Sequence, residues 1–141
     1  MALIDEIKFD GRGLVPAVLI GVDGQVLMLA YMNEEAFLKT VETKKATFYS
    51  RSRKKLWTKG EESGNFMEVL EIYLDCDGDT LLLKVKPAAY GACHLGYRSC
   101  FFRRLKGNNW QIVMDREFNP AEVYKKKNEK NGKKNGDGSG F

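Results

Sequence analysis

Three short segments hold the side chains with chemical potential. The first is Asp75-Cys76-Asp77-Gly78-Asp79. Carboxylates at i, i+2 and i+4 share one face if the segment is extended. Clustered unpaired anions repel, so the arrangement suits a hard cation such as Mg²⁺. Cys76 would then point to the opposite face, which predicts two separate metal environments. An EF-hand counted from Asp75 needs Gly at its sixth position and Glu at its twelfth, but Thr80 and Lys86 stand there. The plain alternative is an acidic turn between strands.

The second segment is Cys93-His94-Leu95-Gly96-Tyr97-Arg98-Ser99-Cys100. Two thiols with six residues between them and small residues on their flank can reach one ion after a bend, and Cys76 could add a third. Three protein ligands leave a tetrahedral Zn²⁺ one open position, where bound water ionises near neutral pH. His94, the one histidine of the chain, is a general acid/base or a further ligand. The alternatives are inert buried thiols, a nucleophile, and a surface histidine. The third segment runs from Ser50 to Asn65 and is rich in hydroxyls, guanidinia and glycine. It suits phosphate recognition, and Trp57 offers a face for a base. No P-loop or dinucleotide fingerprint accompanies it. A solvated loop is the competing reading.

The elements that must position these groups follow from pattern. Residues 14–32 read as two apolar strands around Val22-Asp23-Gly24-Gln25, an Asp-Gly turn. Asn33 is a good N-cap, Glu34 and Glu35 suit a helix N-terminus, and Phe37, Thr40, Val41 and Lys44 share a stripe. That predicts a helix over 33–44. Strands are expected at 46–52, 66–74, 80–85, 97–105 and 110–113, with a polar, Gly-containing loop at 53–65 and a small-residue, loop-like segment at 88–96. Strands outnumber the one main helix, so the class is α+β, predominantly antiparallel.

With 141 residues the chain suits a single domain or one subunit of a small oligomer. Its net charge of +4 suggests a nucleic-acid binder until it is divided. Residues 125–141 carry six Lys, one Glu and one Asp, whereas residues 1–124 carry equal numbers of bases and acids. The excess belongs to a Lys/Gly/Asn-rich tail with almost nothing to bury, expected to be disordered. The body, residues 1–124, therefore gives no reason to expect nucleic acid. No run approaches the roughly 20 apolar residues of a membrane span. Acids near the N-terminus do not fit a secretory signal, and an odd number of cysteines does not suit a disulfide framework. A cytoplasmic location is expected.

Taken together, the segments resemble phosphoribosyl-AMP cyclohydrolases of histidine biosynthesis. The resemblance covers about residues 9–105. It includes Gly13-Leu14-Val15-Pro16-Ala17, Val26-Leu27-Met28-Leu29-Ala30-Tyr31-Met32-Asn33, Tyr49-Ser50-Arg51-Ser52-Arg53, Leu56-Trp57 with Lys59-Gly60, and Ser63-Gly64-Asn65. It ends with the acidic segment and with Cys93-His94 and Ser99-Cys100-Phe101. The resemblance implies an enzyme that hydrolyses the N1–C6 bond of the adenine ring in 1-(5-phosphoribosyl)-AMP. It implies one Zn²⁺ per subunit on Cys76, Cys93 and Cys100, Mg²⁺ on Asp75, Asp77 and Asp79, and His94 as the catalytic proton carrier. It implies an intertwined homodimer with zinc ligands from both subunits. The substrate is expected at Arg51, Ser52, Arg53, Trp57, Lys59 and Ser63. The chain departs from the family pattern at Thr58, Glu62, Leu95 and Tyr97, and no metal position is changed. No second catalytic domain is expected.

Competing classes remain. A zinc nucleobase deaminase would show H-x-E and P-C-x-x-C, which are absent. A non-catalytic zinc module would bind without turnover, and a redox protein would join Cys93 to Cys100 on oxidation.

Overall fold

A computed structural model describes residues 3–62, 64–86 and 93–121. Ser63, the loop positions 88–92 and the tail at 125–141 lie outside the described residues. Strand β1 (Val15–Gly21) turns through Asp23-Gly24 into β2 (Val26–Met32), as the Asp-Gly signal predicts. The Asp23 carboxylate accepts from Gln25 N at 3.0 Å and Gly24 N donates to Gly21 O at 2.9 Å, which closes the turn. The register shifts between Leu19 and Ile20, so β2 is bulged at Leu27.

Helix α1 (Glu34–Thr43) starts where Asn33 accepts from Ala36 N at 2.8 Å. It ends at Lys44, in the left-handed region with φ 61°, whose N–H donates to Thr40 O. The buried stripe is Ala36, Phe37 and Thr40, while Val41 reaches solvent. The Thr40 hydroxyl donates to Ala36 O and accepts from Thr47 N at 3.0 Å, which pins the helix to β3 (Thr47–Ser50).

The first departure from expectation is β4 (Lys55–Thr58), which occupies part of the predicted polar loop and pairs antiparallel with β3. Its residues look like a loop because only Leu56 and Trp57 are apolar. Pairing with β3 and the Phe48–Trp57 ring contact at 4.9 Å supply what local pattern lacks. Strands β5 (Glu68–Leu74) and β6 (Leu81–Lys86) form the expected hairpin around the acidic segment. The main sheet has the order β2-β1-β6-β5. Its β1–β6 pair is parallel, so the sheet is mixed, with antiparallel pairs dominating.

Alternate residues of β1 and β6 (Val15, Ala17, Leu19; Leu81, Leu83, Val85) point into a core with α1, Phe48 and Met67. The other face of the sheet is different. Leu29, Val18, Leu82 and Tyr73 line up in register across all four strands and are half-buried or exposed. The predicted strand over 97–105 is realised only at its end. Tyr97 makes an isolated bridge to Arg116, and β7 (Arg103–Lys106) pairs with β8 (Asn109–Ile112). Every residue of that hairpin is exposed, Trp110 at 66%.

Candidate metal centres and substrate clefts

The acidic segment is not extended. It is a tight turn, and the turn brings its carboxylates together. Asp75 N donates to Thr80 O and Gly78 N donates to Asp75 O, while the Asp75 carboxylate accepts from Asp79 N at 3.1 Å and Thr80 N at 3.3 Å. Desolvation in this crowded turn works against the Asp75 anion, but the N–H donors of Asp79 and Thr80 outweigh it, so its carboxyl sits below the ordinary range. Gly78 has φ 76°, and a Cβ there would stand 2.9 Å from Glu6 O, where the N-terminal segment packs on the turn. The result places ligand oxygens of Asp75, Asp77 and Asp79 all within 4.8 Å of one another, exposed to solvent. An all-oxygen donor set with open surroundings fits a hard divalent cation that keeps several waters.

The second segment folds as a bend fastened at several points. Cys93 N donates to Tyr97 O, Gly96 N to Cys93 O, and Leu95 N to Cys93 Sγ at 3.4 Å. The Tyr97 ring stacks on Phe102 with centroids 3.8 Å apart. The Ser99 hydroxyl donates to Val26 O at 2.7 Å and Cys100 N donates to Leu27 O at 2.7 Å. Arg98 donates to Gln25 through Nε and reaches Asp23 at 3.0 Å, so the β1–β2 turn clamps the bend.

The bend brings the Cys100 thiol within reach of the Cys93 sulfur. The Cys100 thiol donates to Cys93, the chief reason the Cys93 thiol falls from 9.0 to about 6; burial opposes this, while Leu95 N–H and the His94 charge assist. Cys100 is correspondingly pushed far above the ordinary thiol range, first as that donor and then by desolvation. Lys59, the residue after β4, lies beside both sulfurs. Burial holds its amine below the ordinary lysine range, and the charges at Cys100 and Cys93 pull it back up. One thiolate, a second thiol and an adjacent cation form a soft donor pair suited to a transition ion.

Cys76 sits exposed in the acidic turn. Among the described residues of one chain, the three aspartates are the only group of three or more His, Cys, Asp or Glu ligand atoms so closely gathered. The three thiols therefore do not converge at that spacing within one chain.

Two clefts flank Trp57. One, of about 250 Å³, is lined by Arg53, Thr58, Lys59, Glu61, Glu62 and His94 as well as Trp57. The other, of about 660 Å³, contains Arg51 and Ser52 together with Arg12, Tyr31 and Ser50. The structure thus gathers Arg53, Trp57, Lys59 and His94 in one cleft and puts Arg51 and Ser52 in the other, with Trp57 lining both. Arg12, Tyr31 and the Arg98 clamp were not among the expected site residues. Arg12 and Arg98 come from distant segments, and no local spacing joins them to the basic loop.

Residues 28–102 match the sequence model of the phosphoribosyl-AMP cyclohydrolase family. The chain is 53% identical over 128 residues to a phosphoribosyl-AMP cyclohydrolase of Chlorobium phaeovibrioides, covering 89% of this chain and 93% of that one. It is 54% identical to the same-named protein of Chlorobium chlorochromatii, covering 89% and 92%. Against that of Chlorobaculum tepidum the identity is 53%, with the same coverage.

Proposed function

Because the chain belongs to the phosphoribosyl-AMP cyclohydrolase family, we propose that it opens the adenine ring of 1-(5-phosphoribosyl)-AMP by hydrolysing the N1–C6 bond, a step of histidine biosynthesis. The observation that best supports the chemistry is the meeting of Cys93, Cys100, Lys59 and His94 beside one cleft.

Cys93 and Cys100 would hold zinc, with Cys76 as the third ligand from a second subunit. Zinc held there supplies a water that ionises near neutral pH. The residues of the chain supply the rest. Trp57, wedged against Phe48, gives the purine a rigid face. Lys59 offsets negative charge beside the sulfurs. With that water's oxygen added at C6, His94 would take the proton of the new C6 hydroxyl and hand it to N1 as the C6–N1 electron pair leaves on N1, so that C6 becomes the carboxamide carbonyl. The product is an aminoimidazole carboxamide ribotide bearing a formimino bridge. Asp75, Asp77 and Asp79 would hold Mg²⁺, ordering the turn that carries Cys76.

The separation of Cys76 from the other thiols within one chain supports an intertwined homodimer. The open apolar row Leu29–Val18–Leu82–Tyr73 and the exposed β7–β8 hairpin offer surface for it. We place the domain at residues 1–124 in the cytoplasm and assign the tail at 125–141 no part in the chemistry. No helix among the described residues is long and apolar enough to cross a membrane.

Metal analysis of the purified protein, followed by the absorbance change on 1-(5-phosphoribosyl)-AMP with and without chelator, tests the reaction. Subunit mixing tests the shared site. Cys76→Ala and Cys93→Ala homodimers should each be inactive, and random reassortment should restore about a quarter of wild-type turnover. Ammonia release from AMP would instead mark a deaminase. The Cys93–Cys100 contact also fits a redox pair, which predicts a disulfide formed without loss of bound metal.

A further inference from the structure

The two clefts beside Trp57 differ in charge. The cleft nearer the thiols contains Arg53 and Lys59, but Glu61 and Glu62 line it too. Two cations facing two carboxylates make a poor seat for a dianion. The far cleft contains Arg12 and Arg51 and no carboxylate in its lining. Its hydroxyls are Ser50 and Ser52, with Oγ atoms 3.4 Å apart, and the phenols of Tyr31 and Tyr49.

Both guanidinia are held by local structure. Arg51 lies over the Tyr31 ring, 4.3 Å from its centroid. No ion pair engages Arg51 among the described residues. Stacking occupies the face of a guanidinium and leaves its N–H edge to donate, the geometry that grips a phosphoryl group bidentately. Arg12 arrives from the loop before β1. The Asp10 carboxylate accepts from Arg12 N at 2.8 Å and Leu14 N at 3.0 Å, which fixes that loop, and its second oxygen meets the Arg12 guanidinium at 3.1 Å. The Ser50 hydroxyl accepts from Arg53 N at 3.2 Å, which shapes the turn after β3.

We propose that this far cleft is a phosphomonoester subsite, with Arg51 as its principal charge, Tyr31 as the platform for Arg51, and Arg12, already bridged to Asp10, as a second donor. The assignment of which end reacts rests on the cyclohydrolase reading. A substrate bearing phosphoryl groups on both sides of a purine then straddles Trp57. One phosphoryl group lies in the Arg12–Arg51 cleft and the ring lies beside the thiols. Arg53, expected from sequence to hold phosphate, shares the other cleft with Glu61 and Glu62.

The test uses the full-length metal-loaded protein. Inorganic phosphate and ribose 5-phosphate, titrated into ¹⁵N-labelled protein, should shift the amides of residues 12, 31 and 50–52, and Arg51→Ala should abolish those shifts. Shifts confined to residues 53–60 and 93–94 would overturn the assignment. In turnover, losing a charge-assisted phosphate contact should raise KM about 10- to 100-fold for Arg51→Ala, with kcat falling much less and Arg51→Lys recovering part of the loss. The inhibition constant of AMP should rise in Arg51→Ala while that of adenosine holds. An equal loss for adenosine and AMP would mean a general structural role and refute the subsite. If wild-type protein fails to turn over 1-(5-phosphoribosyl)-AMP, the reaction reading fails, and the phosphate titration still decides the subsite.

Discussion

Substitution of Gly96 by Ala probes the bend that joins the two thiols. Gly96 has φ 100°, and an added Cβ would stand 2.3 Å from Phe118 O and 3.3 Å from Pro120 Cδ. Neither side can retreat freely, because Gly96 O itself accepts from Glu117 N at 2.7 Å and from Phe118 N at 3.4 Å. A non-glycine residue at positive φ costs roughly 1–2 kcal/mol. Overpacking against a fixed atom adds about 1–3 kcal/mol. Breaking the stitch to relieve the clash forfeits about 0.5–1.5 kcal/mol per hydrogen bond. Gly96→Ala should therefore destabilise by about 2–5 kcal/mol and displace Cys93 relative to Cys100. Gly107 is the control: it has φ 61° and open space around the missing Cβ, so Gly107→Ala should cost only about 1–2 kcal/mol and leave metal binding intact. Urea unfolding gives the stabilities, and competition with a chromogenic chelator gives zinc affinity. Equal destabilisation by the two alanines, with zinc affinity unchanged in both, would refute the argument that contact at Phe118 shapes the bend.

Cys93→Ala should abolish zinc retention and turnover together. His94→Ala should keep zinc but lose about 10²–10⁴ in kcat, the usual worth of a positioned proton carrier. Asp77→Asn should weaken Mn²⁺ binding, followed by electron paramagnetic resonance, and leave zinc content unchanged. In the metal-free protein the folded Cys93 thiol ionises near pH 6 against an ordinary 9.0. Between those values the unfolded chain holds a proton the folded chain lacks, so stability should rise with pH. The raised Cys100 reverses the sign above the ordinary thiol value. Metal-free stability should thus peak near pH 9, and a flat profile across thiolate absorbance and urea midpoints would contradict the Cys93–Cys100 contact.

Much of this was legible in the sequence where a local rule decides. Asp23-Gly24 places the first turn, Asn33 caps the helix, and a bend lets a thiol pair with six residues between them meet. The rest depends on partners remote in the chain. Lys55–Thr58 becomes a strand because β3 lies beside it. The parallel union of β1 and β6 leaves no mark in either strand. The aspartates do converge, but through a turn closed by Asp75 and Gly78 rather than through strand alternation. Arg12 and Arg98 act across long sequence separations, as with Arg98 meeting Gln25, and nothing near either residue announces it.

β2 is an outer strand of the main sheet, with carbonyls that would otherwise face a passing chain. Ser99 and Cys100 donate to the carbonyls of Val26 and Leu27 and so cap that border. The thiol-bearing bend is thus also a guard against strand-to-strand pairing at the β2 edge. Were the bend to come away from β2, those two carbonyls would lie open to a strand of another molecule, so solubility would depend on the same hydrogen bonds that hold the thiols in place.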